Sequence, residues 1–328
     1  MLFRSLLRIL IATTASAVIL FLALATVLRQ PEITSLRWNG GPRADAGRIE
    51  RDVQFLTTTV LPRSAAHPDS LRRTAEWIAR SFRESGARVT VQSFHARGQT
   101  WENIVAELGP DDHSQPLLII GAHYDAFGEM GSRPGADDNA SGTAALLELA
   151  RLLGRIHPRA PLMLVAYTNE EPPFFGSEEM GSAVHASALA REKRIVKGMI
   201  CLEMIGYYTR EQSWPTPLLS LLYPSHGDFI AVAGGWHDRN LARWVKRGIM
   251  GAGGINVVSF TGPRETSDAS DQRNYWSHGW PAVMVTDTAF LRNPNYHTTH
   301  DTAATLDYTR MAAVVNGVFN VAAGSQDR

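Results

Sequence analysis

Residues 116–125 read PLLIIGAHYD. Four consecutive apolar residues, Leu117, Leu118, Ile119 and Ile120, leave no face for water. That is the pattern of a strand buried on both sides, as in a parallel sheet covered by helices. His123 and Asp125 follow immediately and therefore project near the carboxyl end of the strand, where open α/β sheets place their ligand sites.

The same arrangement recurs outward along the chain. PLMLVAYTNEE (161–171) runs from a buried strand into Glu170 and Glu171, and IVKGMICLEM (195–204) carries Glu203 at its end. WPAVMVTDT (280–288) leads into the loop NYHTTHDT (295–302), and GADDNASG (135–142) follows the first strand. Before, between and after these runs lie helical stripes: Leu71, Ala75, Ile78 and Phe82; then Leu146, Ala150 and Leu153 in a helix opened by Ser141; then Met311, Val315 and Val318. Helices interleaved with buried strands predict a three-layer α/β/α domain with a mixed, mostly parallel central sheet. The section 208–254 breaks the rhythm and reads as an inserted loop, with a glycine pair at Gly234 and Gly235, followed by a helix over 239–250. A loop of that length beside a site is expected to shape a substrate pocket.

Carboxylates gathered at buried strand ends need partners, because burying several without compensation is strongly unfavourable. Lysines and arginines are scarce there: Lys197 lies six residues before Glu203, and Arg292 five before His297. A divalent cation answers the need. Imidazole and carboxylate donors without thiolates suit zinc in an open catalytic site. Two histidines and three carboxylates exceed one tetrahedral ion, but they suit two ions if one carboxylate bridges them.

The order HYD, GADDNASG, NEE, LEM and YHTTHDT resembles the co-catalytic zinc exopeptidases typified by bacterial leucyl aminopeptidases, whose relatives include glutamate carboxypeptidases and glutaminyl cyclases. The resemblance runs from about Ile49 to the C-terminus. It implies one zinc held by His123, Asp137 and Glu203 and a second held by Asp137, Glu171 and His297. Asp137 is then the bridge and a cis peptide joins Asp137 to Asp138. It further implies that Asp125 orients His123 and that Glu170 is the general base toward a metal-activated water. Glu203 stands where many relatives have aspartate. In SDASD (267–271), Ala269 stands where histidine often occurs, which leaves Asp268 and Asp271 as turn or cap residues or as site residues. His300 is set aside in favour of His297, and Asp301 is expected to support that loop.

The implied activity is aminopeptidase hydrolysis of peptides. Two alternatives are a glutaminyl-cyclase-like acyltransferase, which would use one zinc, and a non-catalytic ectodomain on the same fold. Amino- and carboxypeptidase are not separated by these residues, since Arg264 and Arg273 could receive a terminal carboxylate.

The 328 residues carry 32 basic and 32 acidic side chains, so there is no electrostatic footprint for nucleic acid. The single cysteine, Cys201, permits no internal disulfide and is expected to be buried and inert. Residues 9–28 contain no charge and are long enough to span a bilayer, with Arg4 and Arg8 before them and Arg29 after. The expected organisation is an N-terminal membrane anchor over 1–29, a tether over 30–45 and a catalytic domain over 46–328. A signal peptide cleaved near Ala23 and Ala25 is the alternative. The arginines before the apolar run place the catalytic domain outside the cytoplasm, in contact with the bilayer through the helix. Oligomeric state is not legible.

Overall fold

The computed structural model describes residues 2–38, 40–128 and 133–324. Eight strands form one sheet: β1 (Arg88–Ala96), β2 (Gln99–Leu108), β3 (Leu117–His123), β4 (Leu162–Tyr167), β5 (Val196–Leu202), β6 (Phe229–Gly235), β7 (Asn256–Gly262) and β8 (Ala282–Thr286). Among the described residues, nine α-helices accompany them: α1 (Leu2–Arg29), α2 (Ala46–Gln54), α3 (Pro68–Glu84), α4 (Gly142–Gly154), α5 (Gly181–Arg191), α6 (Pro217–Leu222), α7 (Arg239–Ala252), α8 (Arg273–Trp276) and α9 (Tyr308–Gly324).

The sheet order is β1-β2-β4-β3-β5-β8-β6-β7. The central pairs β4–β3, β3–β5 and β5–β8 are parallel, as is β6–β7, whereas β1–β2, β2–β4 and β8–β6 are antiparallel. Every residue of β3, β4 and β8 is buried. Alternation survives as a choice of layer: Leu118 and Ile120 join the core under α2, α3, α4, α7 and α9, while Leu117 and Ile119 join the core under α5 and α8. This is the expected three-layer α/β/α domain with a mixed sheet.

The stretch 208–254 contains more regular structure than its composition suggests. Within it are α6 and the buried strand β6, whose last two residues are Gly234 and Gly235. The glycines are there for close approach: a Cβ on Gly235 would lie 2.5 Å from Arg264 Cγ. The helix expected over 239–250 is α7.

The stretch 30–45, expected as a tether, is held along the domain. Leu36 N donates to Arg247 O, and Asn320 Nδ2 donates to Leu36 O. Trp38 packs on Phe319 with Arg43 over its ring, and Ala44 N donates to Asn316 Oδ1. Upstream, α1 is apolar and long enough to cross a membrane over Arg4–Arg29. Its C-terminal part, from Phe21 onward, touches the domain, and Leu28 is buried there.

Candidate metal centre

The carboxyl ends of β3, β4 and β5 are neighbours in register, with His123 opposite Tyr167 and Gly121 opposite Cys201. The loops leaving them therefore converge. His123 ends β3, Glu170 and Glu171 follow β4, and Glu203 follows β5. The loop after β8 brings in His297. Five residues of these loops are non-glycines in the left-handed region: Asn169 (φ 59°), Met204 (φ 48°), Thr288 (φ 88°), Ala289 (φ 50°) and His297 (φ 57°). Such backbone concentrates where surrounding structure enforces an unusual side-chain direction.

Among the described residues, two donor triplets have their ligand atoms close enough to hold a metal: His123, Asp138 and Glu203, and Asp138, Glu171 and His297. His123 Nε2 lies 3.3 Å from Asp138 Oδ1 and 3.3 Å from Glu203 Oε2. His297 Nε2 lies 3.0 Å from Asp138 Oδ2 and 3.5 Å from Glu171 Oε2. The two oxygens of one carboxylate thus face two different histidines.

That carboxylate belongs to Asp138, not to Asp137. The Asp137 side chain turns the other way: Oδ1 accepts from Gly206 N at 2.9 Å and Oδ2 from Asn293 Nδ2 at 2.8 Å. The cis bond correspondingly joins Asp138 to Asn139, one residue later than expected. The physical reason is local. Asp138 (φ −107°, ψ 90°) is non-helical within the turn Ala136–Ser141, and adjacent side chains on such backbone face opposite sides. Sequence alone does not say which of two consecutive aspartates faces the histidines.

The turn is heavily supported. Asp301 accepts from both Asp137 N and Asp138 N. Asn139 Oδ1 accepts from Gly142 N and Met204 N, and its amide donates to Leu202 O. Gly135, at φ +56°, leads in, and a Cβ there would lie 2.4 Å from Asp138 O. Arg63 is buried and donates to the carbonyls of Leu56, Tyr124, Pro134 and Gly135. The sequence gives no sign of what Arg63, Asn139 and Asn293 do. A lone arginine or asparagine carries no spacing signal, and only tertiary contacts reveal its work.

Asp125 accepts from Glu170 N at 3.2 Å and from Glu171 N at 3.1 Å, with Oδ1 3.4 Å from His123 Nδ1. It therefore steadies both the histidine and the paired glutamates. Glu170 Oε2 stands 3.8 Å from His123 Nε2 and belongs to neither triplet. Ser270 Oγ donates to Glu203 Oε2 at 2.5 Å. Asp268 pairs with Arg273 at 2.8 Å, whereas Asp271 is fully buried with no hydrogen-bond partner on either oxygen, so a turn-capping role does not describe it. His300 is exposed and belongs to neither triplet.

The electrostatics suit a cation. Burial pushes Glu171 up to about 8, aided by the charge of Asp138 and opposed by His297. Burial likewise raises Glu170 well above the usual carboxylate range, with Glu171 and Glu203 adding to it against His123. Burial lifts Asp271 to about 7. Asp138 goes the other way: despite burial, the adjoining imidazoles of His123 and His297 hold it well below the ordinary value. His123 Nε2 and Glu171 Oε1 are buried without hydrogen-bond partners. Unpartnered donor atoms, an excess of carboxylates over imidazoles and no lysine or arginine in either triplet fit a divalent ion rather than an ion-pair network.

Residues 103–322 match the model of peptidase family M28. The chain belongs to that family. It is 49% identical over 312 residues to the uncharacterized protein YfbL of Escherichia coli (strain K12), covering 92% of this chain and 94% of that one. It is 27% identical to Leucine aminopeptidase 1 of Ajellomyces capsulatus (strain H88), over 74% of this chain and 62% of that protein's length. In fold it is similar to the LapA aminopeptidase of Legionella pneumophila (TM-score 0.71, 21% identity, 87% of this chain and 73% of that one). It is also similar in fold to the glutaminyl cyclase of Bacteroides thetaiotaomicron (TM-score 0.66, 20% identity, 86% and 98%). As a member of family M28 the protein is a zinc-dependent metallo-exopeptidase, a hydrolase.

Proposed function

We propose that this M28 member is a two-zinc aminopeptidase, with one ion at His123, Asp138 and Glu203, the other at Asp138, Glu171 and His297, and Glu170 as general base. The observation that carries this reading is the Asp138 carboxylate, whose oxygens point separately at the two histidines. A one-zinc cyclase would not need the second triplet, which favours the peptidase over the acyltransferase.

Zinc, when bound, supplies Lewis acidity toward the scissile carbonyl and the attacking water. Glu170 takes the water proton: it lies beside the donors without being one of them, and burial has raised its basicity. The same carboxyl then protonates the departing amine. Asp125 keeps Glu170 and Glu171 in place through their amides, so that one glutamate binds while its neighbour exchanges protons.

The rim is aromatic. His297 is stacked between Phe127 and Tyr296, with ring centroids 3.9 and 3.7 Å away, and the exposed Phe290 lies against Tyr296. This surface supports preference for substrates with an apolar N-terminal residue. We further assign α1 as an uncleaved anchor with the catalytic domain outside the cytoplasm, supported by its length, its apolar surface and the arginines preceding it.

A panel of free, N-acetylated and C-amidated leucyl, glutamyl and lysyl dipeptides, assayed before chelation, after it and after zinc add-back, tests the reading. Leucyl substrates are expected to be cleaved, with activity lost on N-acetylation and on chelation and restored by zinc. Cleavage that survives N-acetylation but fails on C-amidation would assign a carboxypeptidase instead.

A further inference from the structure

Two leucines of α6, Leu218 and Leu221, are 41% and 72% exposed. They stand three residues apart on one face of a helix whose other face, Leu219 and Leu222, is packed into the domain. Leucines on a surface helix normally face the core. Here one side is open.

The place of that open face is fixed by α1. The cluster that receives Leu219 and Leu222 also receives Phe21, Ala25 and Leu28 of α1. At about 1.5 Å per residue, Phe21 lies about 20 Å along the helix from Arg8, within a hydrocarbon layer about 30 Å thick. On that placement the outer boundary falls near Leu28, about 10 Å beyond Phe21, so contact with Phe21 carries this corner of the domain into the outer part of the lipid.

The attachment is specific. Lys246 Nζ donates to Arg29 O and Gln30 O, the carbonyls at the end of α1, and Ser259 Oγ also donates to Arg29 O. Trp214, half-buried and of a ring type favoured at lipid–water interfaces, packs on the buried Tyr223 beside α6, and Arg29 sits over the Tyr223 ring. The exposed Arg239 lines a cavity of about 330 Å³ with Thr26 and Val27, which adds positive charge at the same level.

We propose that α6 is a second membrane contact, Leu218 and Leu221 entering the outer lipid interface beside the anchor so that the catalytic domain rests on the bilayer. The proposal rests on the anchor reading of α1, and its test separates the two.

Because Cys201 is buried, single engineered thiols can be labelled selectively in the full-length chain. Leu221→Cys, Leu20→Cys and Thr90→Cys, each carrying an environment-sensitive fluorophore, are reconstituted into phosphatidylcholine–phosphatidylglycerol vesicles with and without doxyl-labelled lipid. Labels at positions 20 and 221 should emit blue-shifted and lose intensity with doxyl lipid, whereas the label at the exposed position 90 on β1 should do neither. Quenching at 20 without quenching at 221 overturns the second contact and leaves the anchor standing. Absence of quenching at 20 overturns both. Leu218→Cys repeats the measurement on the same face.

Discussion

Asp137 and Asp138 share a residue type and adjacent positions, yet they face opposite ways, one toward Gly206 and Asn293 and the other toward the two histidines. Asp138→Asn is expected to lose both zinc ions and nearly all turnover. Asp137→Asn should retain ions at affinity weakened by about 10–100-fold, the usual cost of disturbing a group that supports a ligand. Metal analysis of the two purified variants checks the assignment, and equal loss in both would refute it. Glu170→Gln, in contrast, should keep its zinc while kcat falls by about 10²–10⁴-fold, the typical contribution of general acid–base catalysis. Single-turnover kinetics on metal-replete protein measures this. At this scale the sequence is legible wherever a donor stands alone: His123, Glu203 and His297 all lie in the cluster. It misleads by one position at Asp137 and Asp138, though not at Glu170 and Glu171, because side-chain direction is a property of φ and ψ that residue identity leaves open.

The turn Ala136–Ser141 is only as well placed as the elements that hold it. Arg63, before α3, supplies donors to four carbonyls, including Pro134 and Gly135 just ahead of the turn. Replacing it by methionine leaves those buried acceptors unmet, at a cost of about 3 kcal/mol or more. Arg63→Met should therefore show a lower urea midpoint together with weaker zinc retention, whereas a surface change such as Arg83→Met should shift neither. The strands bearing the site are legible because a short, continuous apolar run set between helical stripes suits little besides a strand covered on both faces. The flanks are less so. The hairpin β1–β2 is half-exposed and lacks a long apolar run, and β6 hides behind its terminal glycines, whose purpose becomes evident only when Arg264 is seen against them.

For the molecule as a whole, acid stability should follow a residue remote from the donor triplets. His185 is buried, bonded through Nδ1 to Tyr275 Oη at 2.7 Å, and desolvation lowers it to about 4 from the usual 6.5. Its folded value being depressed, the unfolded chain binds the proton first. The corresponding stability is complete above pH 6.5 and is lost as pH falls toward 4, on the order of 3 kcal/mol. His185→Gln should flatten this part of the melting-temperature profile between about pH 7 and 4.5, judged as the difference from the parent so that acid loss of metal cancels. An unchanged profile would remove His185 from the account. Chelation at neutral pH should independently lower the melting temperature, because ions bound only by the folded state stabilise it.

Lys246 grips the final carbonyls of α1, and the following stretch is laid down along α7 and α9. An enzyme so mounted has no swinging arm. On the anchored reading its mouth stays at one height and one tilt above the bilayer, so peptides must travel to it, and those already gathered near the membrane surface would meet it first.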